Sequence, residues 1–462
     1  MKEIKGLATI TIAIVIIVVG IAAVAAYVVL TQEAPVEKAI TIAWTEGPEF
    51  EFVEEHIHEF EAETGIEVTL RFIPRAHICR KFIFPARAHI IERIMLELLS
   101  PTGAFHATCM DATELPTVAA TKGLVDLYEF KPKSEWLAEG FYESQLDVPT
   151  IDGKLYLVPG FWNGALLLYY WEEYFENTEW KDKFTAWPDR TMDELRLPEN
   201  PEELLELAEF WDVVEDGTVN GIGPDGKYPI YLQATTEELG TAGAMSLFIP
   251  MAEYYGGGVY DYETGEVLVN KPASIQAMEY ISELAQHAQP TVLKDGTFEA
   301  EIAVKEGTCI MADQWSYMFP MLDDPEVMEE VVGKYKVAMR PMPHNPDMLG
   351  IAILDTPKKE LCFDFVEWMN SPEIAKGLVL ATPKAPNQTA VAEDPEIAGA
   401  EWLDPLLDSY GRVQPLTKLV KSPFIVEIYA ATAYRLGQAL TGELSAQEAC
   451  AAAAEDIEAI VG

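Results

Sequence analysis

The stretch AITIAWTEGPEFEFVEEHIHEFEAETGIEVTLRFI, residues 39–73, sets the fold class of this chain. Its first six residues, Ala39–Trp44, form a branched apolar run that is typical of a buried parallel strand. Phe52–Thr64 follows with apolar residues at helical spacing, and Gly65 is a residue that favours the end of a helix. Ile66–Ile73 predicts the next strand. A strand, a helix and a strand in this order make a βαβ unit, so we predict an α/β fold with a parallel sheet.

The same alternation of strand and helix patterns continues along the rest of the chain. Ala107–Met110 predicts a short strand. Amphipathic patterns predict helices at Ile90–Leu99, Leu115–Lys122, Pro201–Trp211, Pro272–His287, Leu361–Asn370 and Ser445–Ile460. A length of 462 residues exceeds that of an ordinary single domain, so we expect two α/β lobes.

The composition limits the kinds of molecule that the chain can be expected to bind. The chain has 32 Lys and Arg against 76 Asp and Glu, which gives a formal net charge of −44. Such a surface repels phosphate backbones, so no nucleic-acid partner is expected. With 49% hydrophobic residues the chain can bury large cores, and intrinsic disorder is excluded.

The N-terminus predicts the compartment. Lys2 and Lys5 precede an uncharged run of 25 residues, Gly6–Leu30, which is long enough to span a bilayer. Residues 1–30 are therefore expected to be a transmembrane anchor or a signal segment, with the positive end inside and the acidic bulk outside the cell. Residues 31–38 are expected to be a polar linker. Cleavage near Ala22–Ala26 stays open as an alternative.

Motifs for catalysis and metal binding are missing. The sequence has no GxSxG, HExxH or GxxxxGK[ST] motif, and its five cysteines show no zinc-ligand spacing. We therefore expect no enzyme activity, no catalytic residue, no metal site and no cofactor. Most of the cysteines are expected to be buried as small apolar side chains, with one disulfide left open.

A basic patch interrupts the acidic chain. The tetrapeptide Arg75–Ile78 recurs as Arg87–Ile90, with Arg80 and Lys81 between them. An anionic ligand or a partner would suit this patch, but a surface loop with compensating charge is the simpler interpretation.

Aromatic residues recur beside polar residues at the ends of predicted strands and in the loops that follow. Sugar rings present flat C–H faces that stack on indole and phenol rings, while carboxylates and amides bind the hydroxyl groups. Any single one of these aromatics is explained as well by a place in the core, but the repeated pairing favours a binding site. The candidate ligand-binding residues are Trp44, Glu46, Asp111, Phe161, Trp162, Asn163, Asp313, Gln314, Trp315, Tyr317 and Phe424.

Six segments in order give the chain a family resemblance over residues 39–462. They are ITIAWTEGPEFEFVEEHIHEFEAETGIEVTL (40–70), SPTGAFHATCMDATELPTVAATKGLVDL (100–127), IDGKLYLVPGFWNGALLLYYWEEYFE (151–176), PENPEELLELAEFW (198–211), VKEGTCIMADQWSYMFPML (304–322) and LTGELSAQEACAAAAEDI (440–457). No one segment is diagnostic, but their order is specific. The chain resembles the extracellular solute-binding proteins of ABC importers, in the maltose-binding-like carbohydrate group.

The resemblance implies a periplasmic-binding-protein-like fold of type II, in which a ligand binds in a cleft between two lobes. We expect the first lobe to contain residues 39–130 and 313–353, and the second lobe residues 131–312 and 354–462. Crossings between the lobes are expected near Tyr128–Phe130, Met311–Asp313 and Ile353–Thr356.

The resemblance also implies the function. We expect a monomer on the outer face of the membrane that captures a carbohydrate and delivers it to the membrane subunits of an ABC permease. The alternatives are a non-sugar solute, such as a polyamine, an iron chelate or a glycerophosphodiester, and a tethered sensory domain.

Overall fold

The computed structural model describes residues 38–45, 48–73, 86–99, 103–162, 165–236, 243–343, 348–410 and 421–462. Within these residues, no helix is long and apolar enough to cross a membrane. The predicted span Gly6–Leu30 and most of the linker lie outside the described residues, as does the first half of the basic patch, Arg75–Ile78. Residues Ile40–Gly462 form one compact unit.

Two mixed sheets organise this unit. The main strands are β1 Ala39–Thr45, β2 Glu67–Ile73, β3 Ala107–Asp111, β4 Val158–Trp162, β5 Leu166–Trp171, β6 Tyr228–Tyr231, β7 Cys309–Trp315, β8 Tyr335–Met339 and β9 Leu349–Ile353. The first sheet has the strand order β2-β1-β3-β9-β4, and the second has the order β8-β5-β7-β6. In the first sheet β1 and β3 are parallel, whereas β9 is antiparallel to β3 and β4. In the second sheet β6 and β7 are parallel, whereas β5 is antiparallel to β7 and β8.

Helices cover both faces of each sheet. From the N-terminus to the middle of the chain they are α1 Pro48–Thr64, α2 Ala86–Leu99, α3 Leu115–Ala119, α4 Lys133–Ala138, α5 Glu143–Asp147, α6 Glu172–Glu176, α7 Thr178–Ala186, α8 Pro201–Val213, α9 Ala244–Tyr254 and α10 Pro272–Leu284. The remaining helices are α11 Thr297–Lys305, α12 Pro325–Met328, α13 Lys359–Met369, α14 Pro372–Ala381, α15 Thr389–Ala392, α16 Pro395–Ala398, α17 Leu403–Tyr410, α18 Ile425–Leu440 and α19 Ala446–Val461.

Each sheet has its own hydrophobic core, so the unit consists of two α/β lobes. In the first lobe, α1, α13 and α14 pack against the first sheet, and α2 and α3 contribute to a smaller cluster. In the second lobe, α8, α9, α10, α18 and α19 form the largest cluster, and α11 and α17 contribute to another.

The structure confirms the predicted α/β elements with small changes in their bounds. The helix predicted at Phe52–Thr64 begins four residues earlier, at Pro48, and ends before Gly65 as expected. Gly65 has a φ of +66°, and its N–H donates to the carbonyl of Glu61 at 2.9 Å. A side chain at this φ would be strained, which explains why glycine stands there.

The chain crosses between the lobes at positions that differ from those expected. β7 contains Met311–Asp313 and lies wholly in the second sheet, whereas α13, which follows Ile353–Thr356, packs on the first sheet. The observed connections run from β4 to β5 and from β8 to β9, and a third lies around α14, which contributes to the hydrophobic clusters of both lobes. A buried apolar strand has the same pattern in either sheet, so its pairing depends on distant residues that a local pattern does not reveal.

Four of the five cysteines fall in the described residues. They confirm the expectation that most of the cysteines are buried. Cys109, Cys309, Cys362 and Cys450 are all buried. Burial raises the pKa of the Cys309 thiol to about 12, with the Tyr335 hydroxyl and Lys227 acting in the opposite direction. Cys309 is therefore a packing residue and not a reactive thiol.

Helix α8 offers a test of local stability. The side chain of Asn200 precedes the helix and accepts a hydrogen bond from the N–H of Glu203 at 2.9 Å. Asn200→Ala should lower the free energy of unfolding by about 1 kcal/mol, because an N–H of the first turn loses its acceptor. Asn200→Ser keeps an acceptor and should differ little from the wild type in urea unfolding. Equal losses in both variants would contradict a capping role.

Candidate functional site

The carboxyl ends of three strands in the first sheet share one edge. β4 runs in the same direction as β3, because both are antiparallel to β9. Trp44 lies near the end of β1, Asp111 ends β3 and Trp162 ends β4. Leu349 of β9 pairs with Asp111 on one side and with Trp162 on the other. Three of the predicted site residues therefore lie along one edge of this sheet.

The second sheet has a corresponding edge. β5 begins at Leu166, which pairs with Trp315 at the end of β7, and Leu167 pairs with Met339 at the end of β8. β6 is parallel to β7 and ends at the same edge. In open α/β sheets, ligands bind outside the carboxyl ends of strands, so this edge is the expected place for ligand contacts of the second lobe.

The two edges face each other. Only residues 163–165 separate Trp162 of the first sheet from Leu166 of the second. Four residue steps span at most about 14 Å, which bounds the distance between the edges at this point. Trp44 and Trp315, which come from different sheets, belong to one cluster of contacting hydrophobic side chains. The two edges therefore lie close together, and each sheet contributes one indole ring to the hydrophobic cluster between the lobes.

Both indole rings are largely enclosed by the protein. Trp44 is 2% exposed and Trp315 is 4% exposed. Trp44 makes an edge-to-face contact with Phe50 of α1, with ring centroids 6.4 Å apart. A ligand would therefore meet a limited part of each ring in this arrangement of the lobes.

Hydrogen bonds to α11 and to the neighbouring Gln314 hold Trp315 in place. Its indole N–H donates to the hydroxyl of Thr297 at 3.3 Å, and that hydroxyl donates to the side-chain oxygen of Gln233 at 3.0 Å. The side chain of Gln314 accepts from the backbone N–H of Trp315 at 2.7 Å and donates to the carbonyl of Thr297 at 2.7 Å. Gln314, predicted as a ligand contact, is fully buried and acts here as a link between β7 and α11.

Asp313 is part of a buried ion pair. Its carboxylate lies 2.6 Å from a guanidinium nitrogen of Arg340, with the two side chains 3% and 1% exposed. Burial raises the pKa of Asp313, and the positive charge of Arg340 opposes that rise. Oδ1 of Asp313 and Nε of Arg340 have no hydrogen-bond partner among the described residues. In this arrangement of the lobes the pair is a structural feature beneath the edge of the second sheet.

Asp111 also has partners inside the protein. Its carboxylate accepts from the backbone N–H of Thr113 at 2.7 Å and from the Thr113 hydroxyl at 2.6 Å. These bonds shape the turn between β3 and α3. Asp111 is 2% exposed, so it lies at the predicted edge but is covered by the turn that it stabilises.

A hydrogen bond joins the two lobes beside another predicted residue. The hydroxyl of Thr117 in α3 donates to the carbonyl of Pro423 at 3.0 Å, just before α18 of the second lobe. Phe424 follows Pro423 and is 40% exposed. Tyr317, in contrast, lies behind the edge, where its hydroxyl donates to Glu301 of α11 at 2.6 Å.

The described residues do not include every candidate. Glu46 and Asn163 lie outside them, and for Phe161 and Trp162 the structure describes only their place in β4. Among the described residues, no group of three or more His, Cys, Asp and Glu side chains is arranged to hold a metal ion.

Comparison with known families assigns the chain to one of them. Residues 95–403 match the family model described as bacterial extracellular solute-binding protein. The chain belongs to this family. It is therefore an extracellular solute-binding protein of the ABC transporter type, and the two-lobe fold with a cleft is the fold expected of it.

Solved structures of other solute-binding proteins share the fold at low sequence identity. A maltose-bound MalE3 of T. maritima is 20% identical with a TM-score of 0.70, covering 92% of this chain and 100% of that chain. An ABC transporter solute-binding protein from Agrobacterium radiobacter K84, in complex with ribitol, is 19% identical with a TM-score of 0.69, covering 91% of this chain and 98% of that chain. One from Thermotoga lettingae TMO, bound with α-D-tagatose, is 18% identical with a TM-score of 0.69, covering 92% of this chain and 100% of that chain.

Sequence reasoning missed two charged residues close to the cleft of this solute-binding protein. Arg340 follows β8 directly, and its position after an apolar strand in an acidic chain was a usable signal. Lys384, in the connection between the lobes, lies 3.3 Å from Glu49 of α1, and both side chains are 5% exposed. The neighbouring Pro383 accepts a hydrogen bond from the Ser316 hydroxyl at 2.6 Å, so this connection touches both lobes.

Proposed function

We propose that this solute-binding protein captures a carbohydrate in the cleft between its lobes and delivers it to the membrane subunits of an ABC permease. The observation that carries the proposal is the placement of Trp44 and Trp315 on facing sheet edges and in one hydrophobic cluster. Indole rings contributed by both lobes suit the flat C–H surfaces of a sugar ring, once the lobes part enough to admit it. Proteins of the same fold have been solved with maltose, ribitol and tagatose.

The same placement supports a mechanism of capture by closure. A ligand that contacts Trp44 of the first lobe and Trp315 of the second binds better when the lobes are close together. The hydrogen bond from Thr117 to the carbonyl of Pro423 joins the lobes without any ligand group. A bound sugar would add its own contacts to this one and shift the population toward the closed form.

A thermal-unfolding screen of the full-length chain in detergent tests the proposal. We expect maltose, ribitol or tagatose to raise the midpoint, since a ligand at 100 times its Kd adds about 2.7 kcal/mol to the free energy of unfolding. The affinity for a neutral sugar should change little between low and high salt, because stacking and hydrogen bonding involve no net charge on the ligand. A response to a glycerophosphodiester or a ferric chelate, with none to any sugar or polyol, would contradict the carbohydrate proposal.

We also propose that Gly6–Leu30 anchors the protein at the outer face of the membrane. The segment is uncharged over 25 residues and follows Lys2 and Lys5, which favour the inner side. After cell fractionation the protein should be found with membranes and should be accessible to protease added from outside. Recovery of a soluble form that starts near Tyr27–Pro35 would instead show that the segment is a cleaved signal.

A further inference from the structure

An open groove of about 480 Å³ lies on the second lobe. It is lined by α8, α10, the 3₁₀ segment Ala285–His287 and the turn from α18 to α19. Its lining includes none of the residues at the facing sheet edges. The groove is therefore separate from the cleft and from the proposed sugar site.

A buried histidine forms part of the wall. His287 is 5% exposed, and its Nδ1 lies 2.9 Å from a carboxylate oxygen of Asp212. The other carboxylate oxygen of Asp212 accepts the backbone N–H groups of Asn220, Gly221 and Ile222 at 3.1, 2.8 and 3.2 Å. An ionised carboxylate only accepts, so Nδ1 carries the proton.

The second nitrogen of this ring is left for a ligand. Nε2 of His287 has no hydrogen-bond partner in the described part of the chain, and His287 is one of the residues that line the groove. In the neutral ring Nε2 presents a lone pair, so the wall offers an oriented acceptor to any N–H donor in the groove.

Three carboxylates surround the same space. Glu209 of α8 and Glu279 and Glu283 of α10 line the groove, and no Lys or Arg is among the lining residues. None of the three makes an ion pair within the described residues. Glu279 and Glu283 are four residues apart on one helix, a spacing at which like charges repel by a few tenths of a kcal/mol. A bound cation would remove this repulsion.

The rest of the lining indicates the kind of cation. Val219, which is 52% exposed, lies in the groove with Leu444 and Ala446. Apolar contacts of this kind suit methylene groups. A metal ion would need several protein ligands, and no group of three is arranged for one among the described residues.

We propose that this groove binds a free polyamine, with methylene groups against Val219 and Leu444, ammonium groups against the glutamates, and one N–H donated to Nε2 of His287. The proposal is independent of the carbohydrate site. An acidic chain attracts polyamines weakly over its whole surface, so the groove must be distinguished from this general attraction.

Titration calorimetry of the full-length chain in detergent with spermidine at about 0.15 M salt makes the distinction. We expect one saturable site in the wild type. Glu279→Gln/Glu283→Gln should weaken it by about 10-fold, the sum of two partly exposed ion pairs. The control Glu54→Gln/Glu55→Gln changes the net charge equally on exposed positions of α1 and should leave the affinity within about twofold of the wild type.

A third variant tests the histidine separately. The side-chain N–H of asparagine in His287→Asn can still donate to Asp212, while the acceptor in the groove is lost. We expect weaker spermidine binding with an unchanged thermal midpoint. The site should also persist in Trp315→Leu and in saturating sugar, which separates it from the cleft. Equal losses in the groove and control variants would overturn the proposal, and so would binding of Zn²⁺ at this site without binding of spermidine.

Discussion

Replacing Arg340 with methionine should lower the free energy of unfolding by about 3–5 kcal/mol. The guanidinium of Arg340 lies 2.6 Å from the carboxylate of Asp313, and both side chains are almost completely buried. Methionine fills much of the space of the arginine stem but leaves the carboxylate without its cation in apolar surroundings. Urea unfolding of the variant and the wild type at pH 7 measures the difference.

A double variant separates charge from packing. Asp313→Leu combined with Arg340→Met removes both charges and keeps apolar volume, and such replacements are often neutral or stabilising by about 1–4 kcal/mol. We expect the double variant to recover most of the loss. If it is as unstable as Arg340→Met alone, the arginine contributes through the packing of its stem and its hydrogen bond to the carbonyl of Pro343, and the charge argument is wrong.

The pH dependence of the Arg340→Met variant follows from the direction in which the pKa of Asp313 is shifted. Burial raises the pKa of Asp313 above its ordinary value of 3.8, and Arg340 partly offsets the rise. Ionisation of this carboxyl therefore costs stability as the pH rises from about 3.8 through the raised folded-state pKa. Without Arg340 nothing opposes the effect of burial on the pKa of Asp313, so ionisation of this carboxyl costs more stability. The deficit of Arg340→Met should be full well above the folded-state pKa and should shrink as the pH falls through that pKa toward 3.8, because the carboxyl becomes protonated in the folded state.

The local elements of this fold were accessible from the sequence because their signals are local. The βαβ unit at residues 39–73, the glycine that ends α1, and the helices that begin at Pro201 and Pro272 all follow from periodicity and capping residues. The positions of Trp44 and Asp111 at strand ends follow from the same patterns.

The parts that were missed depend on pairing between distant residues. Cys309–Trp315 looks like any buried strand, and only its pairing with Leu166–Trp171 places it in the second sheet. The burial of Asp313 likewise depends on Arg340, 27 residues further along the chain. A strand-end carboxylate in an acidic chain is read as a ligand contact unless its internal partner is known. The sequence indicated which residues lie near strand ends, but it did not show which of these side chains are held by partners inside the protein.

Replacing Trp315 with leucine should weaken sugar binding by about 1–3 kcal/mol, or about 5- to 150-fold in Kd. Trp315 ends β7 at the cleft edge, and its indole N–H bonds to Thr297 while Gln314 holds its backbone. Leucine keeps apolar volume in the shared hydrophobic cluster but removes the flat ring and the N–H group. Calorimetry with the sugar that gives the largest thermal shift provides the measurement.

Trp136 supplies the matched control for this prediction. It is 1% exposed in the core of the first lobe, with its ring centroid 4.9 Å from that of Phe141. Trp136→Leu removes the same ring from a place that no ligand reaches, so it should lower the thermal midpoint and leave the Kd within about twofold. Trp315→Leu should show the opposite pattern, with a large change in Kd and a smaller change in the thermal midpoint. If Trp315→Leu instead behaves like Trp136→Leu, Trp315 is a core residue, and the sugar is held elsewhere along the facing edges.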